Sequence, residues 1–142
     1  IIRECLYGIH RFDDIQYWLG IGRNILTKRL KLLVEEGILE KRIYQDRPKR
    51  YEYHLTDKGF DAAKLLMAMM RFGEKWYFEQ EEPITLYHRD SGERVKPVIV
   101  DANTGEPLQP EKIYPGPGDA FPQEPTLRQK RFQEYYEKQK QR

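Results

Sequence analysis

Gly20-Ile21-Gly22-Arg23-Asn24-Ile25-Leu26-Thr27-Lys28-Arg29-Leu30-Lys31-Leu32-Leu33-Val34-Glu35-Glu36-Gly37 is the stretch that decides the fold. Glycine takes positive φ at no steric cost, so Gly20-Ile21-Gly22 predicts a tight turn. Gly37 predicts a helix stop. Between them the spacing predicts a helix from about Arg23 to Glu36. Leu26, Leu30, Leu33 and Val34 recur at i, i+4, i+7 and i+8 and form one apolar stripe. Asn24, Thr27, Lys28 and Lys31 lie on the opposite side. From Arg23 to Lys31 there are four basic residues and no acidic one, and Glu35 and Glu36 come only at the far end. This order opposes the helix dipole, which favours acids at the N-terminus. It suits a face that meets phosphates and base edges, although a solvated charged face has the same composition.

Working outward, Ile1 to Tyr7 reads as the end of a helix stopped near Gly8. Phe12, Ile15 and Leu19 predict a short amphipathic helix ending at Gly20. Two short helices joined by a glycine turn have the composition of a helix-turn-helix. Downstream, Ile38 to Tyr44 and Tyr51 to Leu55 read as two strands, the second alternating Tyr51, Tyr53 and Leu55 against Glu52 and His54. The loop between them, 45–50, holds Arg47, Lys49 and Arg50. A basic hairpin loop after a recognition-type helix is the wing of a winged helix-turn-helix, suited to flanking phosphates or the minor groove. His54 is expected on the strand's polar surface, and His10 has no partner at a metal-ligand spacing.

Thr56 is placed to cap a further helix from Asp57 to about Phe78. That helix is apolar on two sides. Phe60, Ala63, Met67 and Met70 form one stripe, and Ala62, Leu66, Met69 and Trp76 another. One buried face would serve a monomer, so two predict a seam with a second copy, with Phe60, Ala63, Met67, Met70 and Trp76 as its residues. Methionines suit the flexible packing of such a seam.

Together these residues resemble the HxlR family of bacterial winged helix-turn-helix regulators. Ile25-Leu26-Thr27-Lys28-Arg29-Leu30-Lys31 followed by Glu36-Gly37-Ile38-Leu39-Glu40-Lys41-Arg42 is similar to the family's recognition helix and first wing strand. Tyr51-Glu52-Tyr53-His54-Leu55-Thr56-Asp57-Lys58-Gly59 is similar to its second wing strand and the start of its last helix. Arg11-Phe12-Asp13-Asp14-Ile15 resembles its scaffold-helix entry. The resemblance covers about residues 1–79. It implies a homodimer on a roughly palindromic double-stranded DNA operator, and a dimer helix preceding the residues seen here. The chain opens on Ile1 within an apolar run, which agrees with that expectation. Some members sense oxidants through a cysteine near the N-terminus. Cys5, between Glu4 and Leu6, is expected to be an inert buried thiol instead.

The second half differs in kind. Eight of the nine prolines follow residue 80, and residues 74–126 carry five basic against eleven acidic side chains. Residues 128–142 carry six basic against two acidic. The division drawn from this is 1–79, a winged domain with a long dimerisation helix; 80–126, a Pro-rich ribbon-like extension; and 127–142, a basic helical tail with Phe132, Tyr135 and Tyr136. His88-Arg89-Asp90-Ser91-Gly92 and Asp101-Ala102-Asn103-Thr104-Gly105 share the spacing of zinc-ribbon turns. Ser91 and Thr104 are poor ligands, so the expectation is a metal-free remnant, with a strand from Val95 to Val100 and turns at the two glycines.

The fold class expected is mainly α with a small β-hairpin. One cysteine in 142 residues excludes an intramolecular disulfide framework. The sequence contains no run long and apolar enough for a membrane span, no signal-peptide pattern, no phosphate-binding loop and no nucleophile elbow. The expected activity is sequence-specific DNA binding by a cytoplasmic, non-enzymatic homodimer without cofactor or metal. Helix 23–36 would enter the major groove, with Arg23, Asn24, Thr27, Lys28 and Lys31 on DNA and Arg47, Lys49 and Arg50 on flanking backbone. Two alternatives stand beside it: a winged interaction module without DNA binding, and a sensor of an unidentified small-molecule effector with a pocket near Trp76, Tyr77 and the seam.

Overall fold

A computed structural model describes residues 1–78 and 84–140. The chain divides into two compact units, Ile1–Val98 and Ile99–Arg142. The boundary expected at residue 79 falls outside the described residues.

The first unit opens with α1 (Ile2–Leu6), α2 (Phe12–Leu19) and α3 (Arg23–Glu35). Gly20 ends α2 in the left-handed region at φ 61°, and Gly37 follows α3 at φ 66°. Gly22 differs from expectation. It is extended, at φ −63° and ψ 144°, because it is the residue that precedes the first turn of α3 rather than part of a left-handed turn.

The hairpin of β1 (Leu39–Asp46) and β2 (Lys49–Leu55) runs further than the sequence suggested. Its antiparallel register extends from Leu39 opposite Leu55 to Asp46 opposite Lys49, with a bulge between Ile43 and Gln45. The expected six-residue loop shrinks to Arg47 and Pro48, joined by a cis peptide bond. Polar side chains disguised the ladder, since backbone pairing asks nothing of them on a solvent-facing stretch.

Thr56 caps α4 (Asp57–Tyr77) as expected, its hydroxyl accepting from the Gly59 amide at 3.1 Å. The same hydroxyl donates to the Gly37 carbonyl at 2.6 Å, tying the start of α4 to the end of α3. Gly59 sits in the first turns of α4 because nothing larger fits. A Cβ there would lie 2.3 Å from the Ile38 carbonyl oxygen.

Cys5, Ile15, Leu26, Leu30, Leu39 and Leu55 form the core. Each of the first three helices and both strands thus supplies at least one side chain. Burying a leucine or isoleucine contributes about 1.5–3 kcal/mol, so Ile15, Leu26, Leu30 and Leu39 together fix how the helices and hairpin meet. Leu33 and Val34, the rest of the predicted stripe, are half-buried against this cluster. Cys5 is buried as expected, and burial pushes its thiol up to about 11.

Beyond α4 lies a small hairpin, β3 (Leu86–Tyr87) and β4 (Arg94–Val95). The turn between them closes with the Gly92 amide donating to the His88 carbonyl at 2.9 Å and the Glu93 amide to Ser91 Oγ at 3.2 Å. In the second unit the Gly105 amide donates to the Asp101 carbonyl at 2.7 Å and the Glu106 amide to Thr104 Oγ1 at 3.2 Å. The two turns are conformational twins, with glycine at φ 69° and 72°. The expected strand from Val95 to Val100 is not formed. β4 stops at Val95, and Val100 pairs alone with Pro107. Pro97 has no amide to donate, which cuts the ladder there. Among the described residues no group of three or more His, Cys, Asp or Glu side chains could hold a metal ion.

The second unit ends in α5 (Leu127–Lys140). Thr126 and Gln129 cap it reciprocally: the Thr126 amide donates to Gln129 Oε1 at 2.8 Å and the Gln129 amide to Thr126 Oγ1 at 3.4 Å. The Pro-rich segment lies against this helix, with Tyr114 on Tyr136 and Phe121 on Phe132 at ring separations of 5.6 and 6.2 Å.

A candidate nucleic-acid interface

The core stripe of α3 fixes what the rest of that helix can do. With Leu26 and Leu30 fully buried, Arg23, Asn24, Thr27, Lys28 and Lys31 are all exposed: Asn24, Lys28 and Lys31 face away from the core, Thr27 flanks its edge, and Arg23 stands at the helix start. Thr27 donates its hydroxyl hydrogen to the Arg23 carbonyl one turn back, at 2.9 Å. Lys31 makes a solvent-exposed pair with Glu35 at 3.6 Å, which is weak and easily exchanged. Arg23 stacks over the Phe12 ring, 4.7 Å from its centroid, and its Nη1 lies 3.4 Å from Asp13 Oδ1. At the wing, Arg47 forms the turn while Lys49 and Arg50 stand on the first residues of β2, all three exposed.

The height of the wing above α3 is set by a cluster that the sequence did not suggest. The Tyr53 amide donates to the His10 carbonyl at 2.9 Å, and His10 Nδ1 donates back to the Tyr53 carbonyl at 3.0 Å. Arg11 bridges to Glu52, Nε to Oε1 at 3.1 Å, and lies over the Tyr44 ring at 4.5 Å. His54 stacks on His10 with ring centroids 4.1 Å apart and donates from Nε2 to Glu52 Oε2 at 3.2 Å. The hydrogen bond from Arg11 holds the Glu52 carboxyl below the usual carboxylate range, with a smaller contribution from His54. His54 is therefore half-buried, not a surface residue of an alternating strand, because the segment between α1 and α2 covers that side of β2. No local signal could have revealed this, since His10 and Tyr53 lie 43 positions apart.

The residues expected at a dimer seam separate into two groups. Ala63 is 1% exposed and lies on the floor of an apolar groove of about 650 Å³ between α1 and α4. It is used within the chain and offers no surface to a second copy. Met67 and Met70 line the same groove and are half-buried. Phe60 and Trp76 are 51% and 63% exposed, as are Leu65 and Met69 at 69% each. The exposed stripe of α4 is thus shifted toward Leu65, Met69 and Trp76. Neither Trp76 nor Tyr77 lines the groove.

Comparison with known proteins agrees with this architecture. The HxlR-like helix-turn-helix family matches residues 1–81. An uncharacterized HTH-type transcriptional regulator of Mycobacterium tuberculosis, Rv3095, is 34% identical over 122 residues, spanning 85% of this chain and 77% of that protein. The aligned stretch is longer than the first unit, so the likeness runs on into the second. YvaP, an uncharacterized HTH-type transcriptional regulator of Bacillus subtilis, is 34% identical over 77 residues, 54% of this chain and 71% of its own length. Among solved structures, PA1374 of Pseudomonas aeruginosa, described as a candidate transcription factor, is 36% identical with a TM-score of 0.64, over 86% of this chain and 84% of that one. PA1607, described likewise, is 36% identical with a TM-score of 0.69 over 81% of each chain. Two short helices on a glycine turn, a basic second helix and a wing pinned to the scaffold are features of one kind of protein, and the chain belongs to the HxlR-like helix-turn-helix family of transcriptional regulators.

Proposed function

We propose that this regulator binds double-stranded DNA in a sequence-specific manner as a homodimer. The α3 face of Asn24, Thr27, Lys28 and Lys31 enters the major groove, while Arg23, Arg47, Lys49 and Arg50 hold flanking backbone. The observation that carries this reading is the basic, exposed side of α3, whose other side is locked into the core. Asn24 suits an adenine edge, which an amide meets with two hydrogen bonds. The wing's stem is tied to residues 10 and 11, so its cations are held at a fixed offset from α3. The second copy docks through the exposed stripe of α4 around Leu65, Met69 and Trp76. Two-fold symmetry would then place the two α3 helices on half-sites about one helical turn apart. A regulator of this kind acts where the DNA is, which makes the cytoplasm its place of work. Within the described residues no helix is long and apolar enough to cross a membrane.

Titration of duplexes from the gene's own upstream region tests the reading. Salt-sensitive binding that also discriminates between sequences is the expected result. A stoichiometric protein complex with no DNA affinity at any salt concentration would replace it with the interaction-module reading.

A further inference from the structure

Between the N-terminal end of α2, the start of α3 and the outer half of the wing lies a polar cleft of about 520 Å³. Four cations reach it: Arg11, Arg23, Lys49 and Arg50. Arg11 is already committed to Glu52 at 3.1 Å. Lys49 and Arg50 form no ion pair among the described residues. Arg23 is held on the cleft wall by two neighbours, the Phe12 ring beneath it and the Asp13 carboxylate 3.4 Å away. The cleft also admits Asp14, so it is not uniformly positive.

Resting on the DNA-binding reading, we propose that this cleft seats one phosphodiester of the DNA backbone, and that Asp13 is its competing occupant in the free protein. Arg23 at the start of α3 and Lys49 and Arg50 at the start of β2 all line it, so two elements present three cations to one anion. Asp13 supplies the missing negative charge when DNA is absent. Both partners of the Asp13–Arg23 pair are exposed, so the pair is weak enough to exchange. A phosphate can displace the carboxylate while Arg23 stays on Phe12. Asp13 thereby lowers affinity for any duplex by a constant factor, without reading sequence. It tunes how tightly this regulator holds DNA against how readily it leaves.

The test uses the full chain and a random-sequence 30-base-pair duplex, because the phosphate term needs no operator. Fluorescence anisotropy is measured across a salt series for the wild type, Asp13→Asn, Arg23→Gln and Asp61→Asn. Asp61 lies on α4, paired with Lys64, and its substitution makes the same change in net charge away from the cleft. Asp13→Asn is expected to bind about fivefold more tightly near 0.1 M salt, the size of one unit charge a few ångströms from a phosphate in a water-exposed setting. Its salt slope should steepen by about one unit, because Arg23 is no longer neutralised beforehand. Arg23→Gln should flatten the slope by about the same amount, and Asp61→Asn should change affinity less than twofold. If the wild type binds but Asp13→Asn gains no more than Asp61→Asn, the seat is overturned and the DNA reading survives. If the wild type binds no DNA at any salt, both fall together.

Discussion

At the residue scale, the proposed DNA contacts of α3 and of the wing differ in kind. Lys28 lies on the exposed face, and among the described residues it has no acidic partner to give up. Replacing it with alanine should weaken operator binding by about 1–3 kcal/mol if it meets a base edge. In the proposed complex Arg47 and Arg50 meet backbone. Arg47→Ala and Arg50→Ala should each reduce the magnitude of the salt slope by about one while weakening all sequences alike. Unchanged binding after all three changes would overturn the α3-and-wing assignment. Gly59 shows a different kind of constraint. Its nearest would-be neighbour is the Ile38 carbonyl oxygen, a backbone atom that cannot swing aside. Although alanine normally favours a helix over glycine, Gly59→Ala should destabilise the fold by about 1–3 kcal/mol, read as a lower urea midpoint at unchanged slope. A stabilising outcome would mean that β1 and α4 can separate freely.

At the element scale, the wing behaves as part of the scaffold rather than as a loose hairpin. Two backbone-level hydrogen bonds to His10, an ion pair to Arg11 and a stacked imidazole pair all fall on three consecutive residues of β2, from Glu52 to His54. Glu52 lies at the centre, and its folded pKa is lower than in the unfolded chain, where an ordinary carboxylate titrates near 4.5. A lowered carboxyl pKa means that the unfolded chain takes up protons first as pH falls. The Arg11–Glu52 tie therefore contributes fully above about pH 4.5 and is lost as pH drops through the folded value. Glu52→Gln should remove this part of the acid dependence, so the urea midpoints of wild type and variant should converge between about pH 5 and pH 3. Parallel curves over that range would show that the pair contributes nothing to stability. The stripes of α4 were legible in the sequence as two apolar faces, but not which face stays open. Ala63 reads as an ideal seam residue by spacing, and only the position of α1 against α4 shows that it is taken.

At the scale of the whole molecule, the near-neutral net charge of +2 conceals a segregated distribution. A basic α3 and wing sit in one unit, and a basic α5 ends the other. The exposed stripe on α4 makes oligomeric state the next measurable quantity. Light scattering should report a dimer at micromolar concentration, and Leu65→Glu with Met69→Glu should shift it to monomer and weaken operator binding far more than binding to random DNA. A wild type that stays monomeric at all concentrations would remove the dimer from the reading. The sequence by itself determined the order and type of the elements through α4, the cap at Thr56, the stops at Gly20 and Gly37, and which side of α3 faces outward. These follow from local periodicity and backbone sterics, which act over a few residues. It also located the twin turns at Gly92 and Gly105. Only the tertiary structure decided the length of the wing ladder, the anchoring of β2 by His10 and Arg11, the removal of Ala63 from the surface and the meeting of Asp13 with Arg23 in one cleft. Those depend on contacts between segments brought together by the core, and a one-dimensional pattern carries no record of them.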